Sequence, residues 1–153
     1  VIVEPFKHEE FTASRGDGAK LNGRRIRVSG RASEVGALYA TGIPFSSPSF
    51  DHMDGYLKSM HEFATNSSGV RRMGAAALDL AYVAAGRMDA YWEMYLKPWD
   101  IAAGALLVRE AGGMVSDFQG GEKFLETGHI VACTPKLVKP TLKVIAKHLS
   151  NVK

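Results

Sequence analysis

The stretch Tyr91-Trp92-Glu93-Met94-Tyr95-Leu96 leads through Lys97-Pro98-Trp99-Asp100-Ile101-Ala102-Ala103-Gly104 to Glu110-Ala111-Gly112-Gly113, a strand, a helix and a turn in succession. Asp89–Leu96 is rich in aromatic residues and reads as a strand. Trp99–Ala111 reads as a helix, because Pro98 precedes it and Gly112-Gly113 follow it. Proline has the dihedral a first helical residue needs, and glycine accepts the left-handed conformation that ends a helix.

Working outward, the alternation continues. Met114–Phe118 and His129–Cys133 read as strands separated by a glycine-rich turn. A last helix is expected from Thr134-Pro135, burying Val138, Leu142, Ile145 and Leu149 and leaving Lys136, Lys139, Lys143 and Lys147 wet. Upstream, Ala75–Ala85 is apolar except for Asp79 and stops at Gly86, as a helix covered all round would. Between Asp51 and Ala64, Met53, Tyr56, Leu57, Met60, Phe63 and Ala64 form the stripe of an amphipathic helix, ended by Asn66–Gly69.

Ala37–Ile43 reads as a buried strand closed by Pro44, followed by a Ser- and Pro-rich loop over Pro44–Ser49. The first thirty residues read as strand and turn: Val1–Phe6 pairs with Glu10–Ser14, with turns at Gly16-Asp17-Gly18 and Asn22-Gly23. The expected fold is a layered α/β domain whose central sheet is covered by helices on both faces. No internal repeat or linker divides it.

The 153 residues, 46% hydrophobic and 23% charged, suffice for one core and argue against disorder. A net charge of +3 is weak evidence for nucleic acid. Lys20, Arg24, Arg25, Arg27 and Arg31 do cluster, but no aromatic residue lies among them to stack a base, so a solvated hairpin face is expected. Cys133 is the sole cysteine, which excludes an internal disulfide and a zinc cluster and suits a reducing cytoplasm. No apolar run nears the roughly 18 residues a membrane span needs. The opening Val1-Ile2-Val3-Glu4-Pro5-Phe6 lacks an initiator Met and reads as strand interior, so the chain is expected to be the C-terminal portion of a longer protein.

Three features are candidates for chemistry. Asp100, in the first turn of an apolar helix, reads either as a cap for free backbone N–H groups or as a ligand for a hard cation such as Mg²⁺. Ala102, Ala103 and Gly104 keep bulk away from that helix start. Glu93 reads either as an exposed residue of an edge strand or as an acceptor for a polyol hydroxyl. In Arg71-Arg72-Met73-Gly74-Ala75-Ala76, two cations precede a small-residue helix start, where anions are favoured. The five histidines show no metal-ligand spacing, and no nucleophile elbow or Walker loop occurs.

Taken in order, Arg71–Ala76, Ala90–Met94, Pro98–Gly104 and Glu110–Gly113 resemble the inositol monophosphatase family, as does Glu10–Ala19 followed by Leu21-Asn22-Gly23. The resemblance implies a layered sugar-phosphatase fold and Mg²⁺-dependent hydrolysis of inositol 1-phosphate-like monoesters by a cytoplasmic homodimer. It implies that Asp100 binds the metal and takes part in catalysis. It also implies that Glu93 accepts hydroxyl hydrogen bonds, that Gly74, Ala75 and Ala76 contact substrate, and that Arg71 reaches it. The family's Asp-Pro-Ile-Asp-Gly-Thr element and an earlier metal-binding Glu are absent, so this chain is expected to carry part of the site and to be inactive by itself. Tyr95 stands where the family often has Gly. The competing expectation is a non-catalytic module associated with RNA or a transcription complex.

Overall fold

The computed structural model describes residues 1–45 and 47–152, without the side chains of residues 47 and 48. In chain order the elements are β1 (Ile2–Glu4), β2 (Glu9–Ser14), β3 (Gly18–Leu21), β4 (Arg24–Arg25), β5 (Leu38–Thr41), α1 (Ser47–Phe50), α2 (Met53–Asn66), β6 (Gly69–Arg71) and α3 (Ala76–Ala84). Then follow β7 (Ala90–Glu93), α4 (Pro98–Glu110), β8 (Met114–Ser116), α5 (Phe124–Thr127), β9 (Ile130–Cys133) and α6 (Val138–His148). Single 3₁₀ turns lie at Pro5–Lys7 and Pro135–Leu137.

The strands form two sheets, β1-β2-β3-β4 and β6-β5-β7-β9-β8. The five-stranded sheet is mixed: β5 runs parallel to β6 and β7, and β9 runs antiparallel to β7 and β8. Helices α3 and α4 pack between the two sheets, and α2 and α6 cover the opposite face of the larger one. The layers are therefore sheet, helix pair, sheet, helix pair. The expected central sheet with helices on both faces is present, and the N-terminal hairpins add a second sheet outside it.

Alternation along β7 divides the core. Tyr91 joins Phe11, Leu80, Val83, Ile101, Leu107 and Ile130 on the α3–α4 side. Trp92 joins Tyr39, Tyr56, Phe63, Val144 and Ile145 on the α2–α6 side. Successive strand residues face opposite ways, so one strand supplies both cores. All four residues of β7 are buried, as befits the middle strand.

Several expectations need correction. The strand β6 was not anticipated, and Arg71 is its last residue rather than part of a helix approach. The helix expected from Thr134-Pro135 begins as a 3₁₀ turn, with α6 starting at Val138. Thr134 does not cap it, since its hydroxyl donates to the Arg31 carbonyl at 3.1 Å. Along α6, Thr141 and Val144 are buried while Val138 and Leu142 are half-buried, a stripe rotated from the expected one. In the expected Pro44–Ser49 loop, Ser46 lies outside the described residues and α1 follows directly. No helix among the described residues is long and apolar enough to cross a membrane.

Candidate functional site

β5, β7 and the starts of α3 and α4 meet at one cavity of about 180 Å³, lined by Gly42, Ile43, Phe45, Arg72, Gly74, Ala75, Ala76, Glu93, Leu96 and Asp100. Gly42 follows β5 and Glu93 ends the neighbouring parallel strand β7, so both lie at carboxyl ends of strands, where open α/β sheets collect ligands. Five residues singled out in the sequence, Gly74, Ala75, Ala76, Glu93 and Asp100, line this cavity. Arg71 does not, for its Nη1 turns back to its own Val70 carbonyl at 3.4 Å. The cation at the cavity is Arg72.

Glu93 is buried on the central strand, which removes the edge-strand reading. Tyr91, two residues before it and on the same face, donates its phenol O–H to Glu93 Oε2 at 2.5 Å. Burial pushes the Glu93 carboxyl above the usual range, with Asp100 adding to the rise, while Tyr91 and Arg72 oppose it. The opposite oxygen abuts Gly42 so closely that any Cβ there would collide with the carboxylate. Gly42 is thus required by its neighbour across the sheet, a constraint no local motif announces.

Asp100 is half-buried, and its Oδ2 accepts from the Lys97 N–H at 2.9 Å. The capping role is made, and no second hydrogen bond occupies this carboxylate among the described residues. The small residues behind it have a packing cause as well: a Cβ on Gly104 would lie 2.5 Å from Leu80 Cβ, so glycine lets α4 approach α3. This accounts for Gly104 without a ligand.

Asp79, in the first turn of α3, is fully buried, and among the described residues its carboxyl oxygens have no hydrogen-bond partner in good geometry. Desolvation, followed by the charge of Glu93, pushes its pKa up to about 7, against smaller lowering influences from the Ala75 N–H and Arg72. Sequence pattern gave it no role beyond a polar exception in an apolar helix.

Between β7 and α4, Tyr95 takes a φ of 61°, in the left-handed region, which costs a non-glycine residue on the order of 1 kcal/mol. At the other end of α4, Glu110 accepts from the Gly16 and Gly18 N–H groups at 3.0 and 2.9 Å. Those two amides hold the Glu110 carboxyl below its ordinary range. The hairpin glycines and the Glu-Ala-Gly-Gly segment therefore form one structural contact.

Among the described residues, no three His, Cys, Asp or Glu side chains are grouped so as to hold a metal ion. Asp100 fits a hard cation as a single carboxylate donor. Larger hollows lie elsewhere, one of about 470 Å³ between α2 and α6, but its carboxylates Asp54 and Glu62 already pair with Lys58 and Lys147.

The chain matches the inositol monophosphatase family over residues 1–152. It belongs to that family. Among curated relatives, Nus factor SuhB of Pseudomonas aeruginosa is 58% identical over 149 residues, which are 97% of this chain and 55% of that protein. The crystal structure of the extragenic suppressor protein suhB from Bartonella henselae superposes with a TM-score of 0.88 at 44% identity, covering 94% of this chain and 55% of that one. The inositol monophosphatase from Anabaena gives a TM-score of 0.86 at 36% identity, covering 96% and 61%. The chain spans about half the length of the curated relatives it matches. Membership in the inositol monophosphatase family accords with the layered fold.

Proposed function

We propose that the complete protein hydrolyses phosphate monoesters of inositol or a related sugar in the cytoplasm as a Mg²⁺-dependent homodimer, and that this chain supplies one wall of the site. The observation that carries the reading is the convergence of Glu93, Asp100 and the small-residue start of α3 on one cavity in a chain of this family. Asp100 offers a carboxylate to the cation. The start of α3 and the Arg72 guanidinium favour an anion beside it. The Glu93 carboxyl faces the same space and is the acceptor for a ring hydroxyl. Bound Mg²⁺ supplies a polarised water and charge stabilisation for the leaving oxygen.

The test is release of phosphate from myo-inositol 1-phosphate by the complete protein, with and without Mg²⁺, and by Asp100→Asn. Activity that needs the metal and falls at least a hundredfold in the variant supports the proposal; an inactive complete protein overturns it. Full activity from the 153 residues by themselves would overturn the claim that they carry only part of the site.

A second reading, attachment to RNA or a transcription complex, is favoured by the name Nus factor carried by a 58% identical relative and by the exposed Arg24, Arg25 and Arg27. A steep salt dependence of RNA binding, lost on replacing these arginines with glutamine, would support it. The two readings are independent, and the phosphatase assay does not bear on the second.

A further inference from the structure

We infer that Tyr95 and His129 are positioning residues that fix the turn between β7 and α4 and so set Asp100 relative to Glu93; the inference rests on the phosphatase reading for its catalytic consequence. Only Met94–Lys97 separate the end of β7 from the start of α4, so the direction of this turn decides where Asp100 stands. The turn reverses at Tyr95, in the left-handed conformation a side chain rarely adopts.

Three consecutive amides hold it there. The Tyr95 N–H donates to His129 Nδ1 at 3.3 Å, and the Leu96 N–H donates to the Gly128 carbonyl at 2.9 Å. The Lys97 N–H donates to Asp100 Oδ2 at 2.9 Å. The first two partners lie just ahead of β9, a segment that contributes no residue to the cavity. The hydrogen bond assigns the His129 proton to Nε2, because Nδ1 must accept. Gly128 lies against Leu96 so tightly that any Cβ there would strike the Leu96 carbonyl.

Aromatic contacts complete the clamp. The Tyr95 ring meets the His129 ring edge-on at 4.7 Å and 88°, and it lies near-parallel to His52 at 5.9 Å and 20°. His129 itself is buried and packs on Phe118 at 5.4 Å. A side chain in a strained conformation, with its ring held by two others and its N–H aimed at a buried ring nitrogen, is fixed by its surroundings rather than by its own preference.

The experiment compares His129→Ala and His129→Asn in the complete protein, the asparagine retaining an acceptor near the position of Nδ1. Hydrogen exchange over residues 94–100 reads the turn directly, and kcat and KM for myo-inositol 1-phosphate read its effect on the site. His129→Ala is expected to speed exchange of amides 95–97 at least tenfold, with β5 and α6 unchanged, and to lower kcat about tenfold with KM within threefold. His129→Asn is expected to recover most of both. Unchanged exchange in His129→Ala, or loosening spread evenly over the molecule, or no recovery with Asn, overturns the inference.

If His129→Ala does not fold, Tyr95→Ala against Tyr95→Gly decides. The alanine keeps the strain without the ring and is expected to exchange faster at amides 95–97 than the glycine; equal or reversed rates overturn the inference. Absence of phosphatase activity in the unsubstituted protein refutes the proposed function, and the exchange measurement still decides whether His129 fixes the turn.

Discussion

The Tyr91 phenol and the Glu93 carboxylate are joined by a hydrogen bond of 2.5 Å on one face of the central strand, so the acceptor at the cavity is oriented by its own strand. Replacing Tyr91 with Phe leaves a buried carboxylate with one donor fewer. The native state of the complete protein should lose about 1–3 kcal/mol at pH 8 in urea unfolding. The Glu93 pKa is already raised, so its charged form weakens the fold as pH rises above the unfolded value. The deficit of Tyr91→Phe should therefore shrink as pH is lowered and the carboxyl takes up its proton.

Asp79 gives a second pH dependence of the same sign. Its pKa stands at about 7 against 3.8 when unfolded, so between these values the native state binds a proton that the unfolded chain has released. Stability should fall as pH rises through this window, with the whole penalty present above about pH 7. Asp79→Asn should flatten that slope and stabilise the protein at pH 8 by on the order of 3 kcal/mol, measured by denaturant midpoints at several pH values.

At Gly42 the prediction is steric. Alanine there meets the Glu93 carboxylate and must displace it. We expect Gly42→Ala to destabilise by about 1–3 kcal/mol and to raise KM for the monoester more than it lowers kcat, read from steady-state kinetics. Ser or Thr should be worse than Ala.

Gly104→Val tests the approach of α3 and α4. A β-branched side chain pushes against Leu80 and is expected to cost about 1–3 kcal/mol in thermal unfolding. Leu80→Ala in the same chain keeps the Cβ nearest the added side chain and should not restore the loss.

The helices were legible because their evidence is local. Met53 to Ala64 repeats at helical spacing, and Pro98 with Gly112 marks where α4 starts and stops. Strand β6 was not, since Gly69–Arg71 offers one apolar residue between glycine and arginine and is a strand only because β5 lies beside it. The Asn22-Gly23 turn announced a hairpin but could not say that its sheet would stack on α3 and α4. At the site, Glu93, Asp100 and Gly74–Ala76 were quoted from sequence. The cation was placed one residue early, because β6 ends at Arg71 and Arg72 is the residue at the cavity. Gly42 reads as mere punctuation after a strand, and its necessity comes from a carboxylate across the sheet.

Helix α4 carries an acidic acceptor at each end: Asp100 closes the helix's own first turn onto the Lys97 N–H, and Glu110 reaches out to the Gly16 and Gly18 N–H groups of the hairpin. It is a strut about 20 Å long whose foot stands at the cavity and whose head is fixed on the outer hairpin. The head cannot shift along the axis without breaking the Glu110 contacts to Gly16 and Gly18. The outer sheet, far from any chemistry, thereby serves as the abutment against which the reach of Asp100 is set.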